Sequence, residues 1–124
     1  MDTMTDSPAP DAASALAVED AKLVALARSA RARVDVATAA AVRDDTGRSY
    51  VGADVSLPSL RISGLELAVA QAVAAGASGL EAAVIVSVAP TGAETAAVVG
   101  EVGPTGIPVH VTDARGTVVR TFAA

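Results

Sequence analysis

The sequence predicts a single α/β domain, a three-layer α-β-α sandwich around a mixed five-stranded sheet. Three observations predict it. Helical and strand-like apolar patterns follow one another in the order α-β-β-α-β-α-β-β. One segment, Ala82 to Val88 (AAVIVSV), is almost continuously apolar, as a central strand covered on both faces would be. The chain has 124 residues, is 52% apolar and has a mean hydropathy of +0.48, enough for one buried core and too apolar for general disorder.

Each element has its own warrant. A first helix is expected from about Val18 to Arg33, with Glu19 and Asp20 at its start and Arg28, Arg31 and Arg33 at its end. Both signs suit the helix dipole. Leu16, Leu23, Leu26, Ala30 and Val34 are its predicted apolar stripe. Val34 to Val42 reads as a strand, Asp44-Asp45-Thr46-Gly47 as a turn, and Arg48 to Val55 as the returning strand of a hairpin. Leu57-Pro58-Ser59-Leu60 reads as a connecting loop. A long helix follows to about Ala75, with Leu65, Val69, Ala72 and Val73 on one face and Gly76 just past its end. After the central strand, Pro90 to Val99 reads as a short helix. Pro108 to Thr112 is then a strand, Asp113-Ala114-Arg115-Gly116 a turn and Thr117 to Phe122 the last strand. The strand–helix–strand passages around 55–85 and 85–110 should be right-handed parallel crossovers.

Composition narrows the chemistry. There are 30 Ala and 19 Val against one Phe, one Tyr and no Trp. Small side chains pack when backbones approach closely, so tight helix-on-sheet contacts are expected. The absence of Cys excludes disulfides, thiolate metal sites and cysteine nucleophiles. A single His, His110, excludes a histidine-rich metal cage. It lies mid-strand in an apolar run and reads as packed, with no motif of a nucleophile–His–acid arrangement around it. A net charge of −5 and a pI near 4.6 argue against nucleic acid as the main partner. Asp2, Asp6 and Asp11 carry part of that charge in residues 1–15, which read as a disordered acidic tail preceding a domain at 16–124. No basic start followed by an apolar run marks a signal peptide. The longest apolar stretch, Leu67 to Ala75, is interrupted by Gln71 and too short to span a bilayer. A cytoplasmic protein with no membrane partner is the expectation.

Four segments, in order, resemble the cytidine deaminase family over roughly residues 20–120. Gly47-Arg48-Ser49-Tyr50-Val51-Gly52-Ala53-Asp54-Val55 is similar to the family hairpin G-x-x-Y-x-G-x-N-x-E. Ser63 to Gly76 is similar to the helix that opens with C-A-E and ends with Gly. Ala83 to Val88 followed by Pro90-Thr91-Gly92-Ala93-Glu94 is similar to the strand leading into P-C-G-x-C. Val109 to Val119 is similar to the final hairpin.

The resemblance implies a zinc site with three ligands and a Glu that shuttles protons between metal-bound water and base. By motif, the ligands fall on Ser63, Thr91 and Glu94, and the Glu falls on Leu65. A leucine moves no proton, hydroxyls are poor zinc ligands, and one carboxylate makes no site. The family's ribose-binding Asn falls on Asp54 and its partner Glu on Ser56. The segment whose Phe packs on the pyrimidine falls on Arg33 to Ala40, with no aromatic residue. Placing the catalytic Glu on Glu66 instead breaks the match through to Gly76 and still supplies no ligands.

Both helix starts read instead as capping boxes, Ser63-Gly64-Leu65-Glu66 and Thr91-Gly92-Ala93-Glu94. A hydroxyl would replace the metal in satisfying free backbone N–H groups. Alternatively, two convergent helix N-termini could hold an anion, with Asp54, Ser56, Ser63, Thr91 and Glu94 as its candidate binding residues. Asp44, Asp45 and Asp113 read as turn residues, and Arg28, Arg31 and Arg33 as a solvated helix end. No catalytic residue, metal or cofactor is expected. The first expectation is a non-catalytic, homo-oligomeric structural or interaction module, a dimer or tetramer able to engage a protein partner. Leu60 and Ile62, and Val98, Val99 and Val102 crowded on a short helix, suggest the apolar surface for it. The second expectation is a nucleoside or anion binder, and the third an active deaminase.

Overall fold

The computed structural model describes residues 16–90 and 94–124. The expected tail, 1–15, lies outside them, as do Thr91 and the side chains of Glu94 and Thr95. The elements in chain order are α1 (Val18–Val34), β1 (Thr38–Asp44), β2 (Ser49–Ala53), β3 (Val55–Leu57), β4 (Leu60–Ile62) and α2 (Gly64–Ala74). There follow β5 (Leu80–Ser87), a 3-10 helix (Glu94–Glu101), β6 (Pro108–Thr112) and β7 (Val118–Ala123). The five-stranded sheet has the order β2-β1-β5-β6-β7. It is mixed: β5 and β6 are parallel, and the other neighbours are antiparallel.

Strand alternation sorts the core into two layers. On one face Leu23, Val24 and Ala27 of α1 cover Ala41, Ala82, Val84 and Val86. On the other, Leu65, Ala68, Val69 and Ala72 of α2, with Ala96 and Val99 of the 3-10 helix, cover Ala40, Val42, Ala83, Ile85, Val109 and Val111. The predicted central strand is β5, buried from Ala82 through Ser87. The small residues allow the expected close approach. A Cβ added at Gly64 would lie 2.5 Å from the Gly52 carbonyl oxygen and 3.0 Å from Ala39 Cα. The first turn of α2 therefore rests directly on the backbone of β1 and β2.

Two hairpins share one turn. Asp44 and Asp113 each accept backbone hydrogen bonds through Oδ1 from the residues two and four positions on. Gly47 and Gly116 take the positive φ that closes the loop. The C-terminus of α2 is a Schellman arrangement: Gly76 at φ 93 sits past Ala75, and the Ala77 amide donates to Ala72 O.

Several expectations are corrected. The first strand begins at Thr38, not Val34, because α1 runs on to Val34 and ends at left-handed Asp35, with Arg31 donating to Val36 O. The α1 stripe is rotated: Asp20, Leu23, Val24, Ala27 and Ala30 are buried, while Leu26 and Val34 are exposed. The expected loop at 57–60 is a second hairpin, β3–β4, turning at Pro58-Ser59. The short helix is of 3-10 type over Glu94–Glu101 and runs past the expected end at Val99. It does not leave its valines out: Val99 is fully buried, and Val98 and Val102 pack against the same core.

Candidate functional site

Of the sequence candidates, Asp54, Ser63 and Leu65 come together where α2 begins. Ser63 is the N-cap of α2. Its Oγ accepts from the Glu66 amide at 3.0 Å, and Glu66 Oε1 accepts from the Ser63 amide at 3.0 Å, which completes the predicted capping box. Asp54, in the connection between β2 and β3, adds a cap not foreseen. Its Oδ1 accepts from the Gly64 amide at 2.7 Å. A carboxylate at a helix N-terminus is favoured by both the hydrogen bond and the dipole. The amides of Gly64 and Glu66 that an anion would use are thus already occupied by side chains of the chain itself.

Leu65 points into the α2-side core and is 2% exposed. Ser56 stands apart, exposed in β3 opposite Arg61. The second capping box, Thr91 to Glu94, lies outside the described residues apart from the backbone of Glu94. Two further polar groups face the same side of the sheet at this end. Thr38 Oγ1 donates to Ser87 Oγ at 3.1 Å, and Ser87 Oγ also accepts from the Ala89 amide at 3.0 Å. Their pairing across β1 and β5 follows from strand register, which the sequence does not display.

On the opposite face, under α1, lies a cluster that the sequence reading missed. His110 is buried, as expected, but it is also fully engaged. Its Nε2 is 2.8 Å from Asp20 Oδ2 and its Nδ1 is 2.8 Å from Thr121 Oγ1. Thr121, His110 and Asp20 thus stand in one hydrogen-bonded series, a juxtaposition that no sequence motif announced. Arg43 Nη1 lies 3.0 Å from Asp20 Oδ1, and Arg43 Nε donates to Glu81 Oε1 at 2.9 Å. Burial works against the Arg43 charge, but the hydrogen bond to Glu81 and the neighbouring Asp20 outweigh it and raise its pKa. No local motif signalled the cluster, since His110 and Asp20 are 90 positions apart. The signal available was a histidine set in an apolar strand and an acid at helical spacing from Leu23, Val24 and Ala27.

Asp44 is a turn residue, as expected. The Thr46 hydroxyl, the Tyr50 hydroxyl and the amides of Thr46 and Arg48 all donate to it. The Thr46 hydrogen bond first, with the others, lowers its pKa from 3.8 to about 2. A carboxylate whose folded pKa is depressed stabilises the fold above its unfolded pKa, and that stability is lost as pH falls through the folded pKa. Denaturant titrations between pH 4 and about 2 should show stability falling faster in the wild type than in Asp44→Asn. Parallel slopes would contradict this role for Asp44.

Among the described residues, no three His, Cys, Asp or Glu side chains come together as a metal-holding group. Among them too, no helix is long and apolar enough to cross a membrane. The family model described as cytidine deaminase-like matches residues 16–116. No curated protein matches the chain. Among solved structures, the chain is similar to a cytidine deaminase from Burkholderia pseudomallei, with 24% identity and a TM-score of 0.71 over 82% of this chain and 90% of that one. It is also similar to a cytidine deaminase from Mycobacterium leprae, with 20% identity and a TM-score of 0.62 over 85% of this chain and 94% of that one. At these identities the structural likeness establishes the fold.

Proposed function

The chain belongs to the cytidine deaminase-like family, and we propose that it is a non-catalytic member, an oligomeric structural or interaction module in which helix capping replaces the metal site. The α2 N-terminus carries this reading. There the Ser63–Glu66 box and the Asp54 carboxylate satisfy backbone donors without an ion. The position that the resemblance assigns to the proton shuttle is Leu65, closed into the core.

Zinc does not fit the donors present. The chain has no Cys. The Ser63 hydroxyl is engaged by the Glu66 amide. By the resemblance, Thr91 would add only a second hydroxyl and Glu94 a lone carboxylate, short of the three ligands a catalytic zinc needs. His110 sits on the opposite face of the sheet, held by Asp20 and Thr121. An assay for cytidine and deoxycytidine deamination tests the reading, with no turnover above a heat-killed control as the expected result.

A nucleoside or anion pocket is the weaker reading, because Asp54 and Ser63 are committed to α2. Self-association is favoured by the β3–β4 hairpin. Leu57 and Leu60 oppose each other there, 54% and 51% exposed. Clustered exposed leucines mark interaction surfaces. Sedimentation at micromolar concentration should show a homo-oligomer, dissociated by Leu60→Asp with the fold intact. A wild-type species of 12.1 kDa would contradict the oligomer.

A further inference from the structure

The polar cluster under α1 takes no part in capping α2, and its geometry carries chemistry of its own. We propose that Thr121 is an activated hydroxyl at which the chain accepts an acyl group from an activated ester. A carboxylate only accepts hydrogen bonds, so at 2.8 Å from Asp20 Oδ2 the His110 Nε2 must carry the proton. In the neutral imidazole this leaves Nδ1 as the acceptor, 2.8 Å from Thr121 Oγ1. The threonine hydroxyl therefore donates to a base whose tautomer is fixed from behind. Such a nucleophile–base–orienting acid series is what activates a hydroxyl for acyl transfer.

The fold holds each member in place. Asp20 is fixed by Arg43 of β1, which Glu81 of β5 holds in turn. His110 and Thr121 are directly opposed in the β6–β7 ladder. Access is graded in the required sense: Asp20 and His110 are buried, whereas Thr121 is exposed on the edge strand. Val119 and Ala123, two positions either side of Thr121, are also exposed and offer apolar surface to an acyl chain.

In the step, Thr121 Oγ1 bonds to the ester carbonyl carbon as its proton passes to His110 Nδ1. The carbon–oxygen bond to the leaving alcohol then breaks, and the imidazolium returns the proton to that oxygen. The products are a threonine ester and a free alcohol, with no change of oxidation state.

The test uses p-nitrophenyl acetate on the intact chain, with peptide mass spectrometry to locate acetyl groups. Thr117, exposed on the same hairpin, is the internal reference. General-base assistance predicts that Thr121 is acetylated about 100-fold faster than Thr117 or more. The ratio should fall to near unity in folded His110→Gln. Equal labelling of the two threonines, or a ratio unchanged in folded His110→Gln, would each overturn the proposal. The wild-type ratio decides the matter even where His110→Gln does not fold.

Discussion

Replacing Asp20 by alanine is expected to destabilise the fold by about 3 kcal/mol. The carboxylate joins α1 to both halves of the sheet, through Arg43 on β1 and His110 on β6. All three side chains are largely buried, with relative exposures of 11%, 14% and 8% for Asp20, Arg43 and His110. Truncation removes an ion pair from Arg43 and leaves the His110 Nε2 without its acceptor. Breaking a buried pair from one side leaves the other charge uncompensated, which costs more than the pair contributes on balance. Arg43 keeps Glu81, so the lower end of the usual range applies. For a domain of this size the melting temperature should fall by roughly 10 °C or more. Chemical denaturation of Asp20→Ala measures it directly. A change below about 1 kcal/mol, the scale of an exposed pair, would show that the cluster does not tie α1 to the sheet.

The largest effect expected of the chain is a rate that is absent. Zinc-dependent deamination draws on an activated water and on a carboxylate that moves protons, each commonly worth orders of magnitude. Leu65 offers neither, and it cannot be repaired by a small movement because its side chain is packed among Val69, Ala40 and the other residues of the α2-side core. Asp54, the polar residue nearest in motif to a substrate contact, is held by the Gly64 amide. Turnover of cytidine should therefore stay at the level of heat-killed protein. Turnover above that level would overturn the non-catalytic reading.

Much of the fold was legible because local signals agreed with the global one. The run Ala82 to Val88 announced β5, and the two Asp-x-x-Gly turns announced the hairpins at Asp44 and Asp113. The serine three residues before Glu66 announced the start of α2. The α1 stripe was misjudged because Asp20 counts as polar in any periodicity, yet partners from β1 and β6 let it be buried. The β3–β4 hairpin was missed because three-residue strands around Pro58-Ser59 leave too short a pattern to read. At the candidate site, the role of Ser63 follows from four adjacent residues and was foreseen. The role of Asp54 depends on bringing Gly64 against Gly52, and the Thr121–His110–Asp20 series depends on three elements meeting. No window of sequence holds either.

If hydrogen bonds rather than a metal complete the α2 N-terminus, as proposed, zinc has no place to bind there. Elemental analysis of protein purified without chelators should find zinc far below one equivalent per chain, with none retained after zinc loading and desalting. One equivalent per chain, retained through desalting and lost on Ser63→Ala, would contradict the proposal.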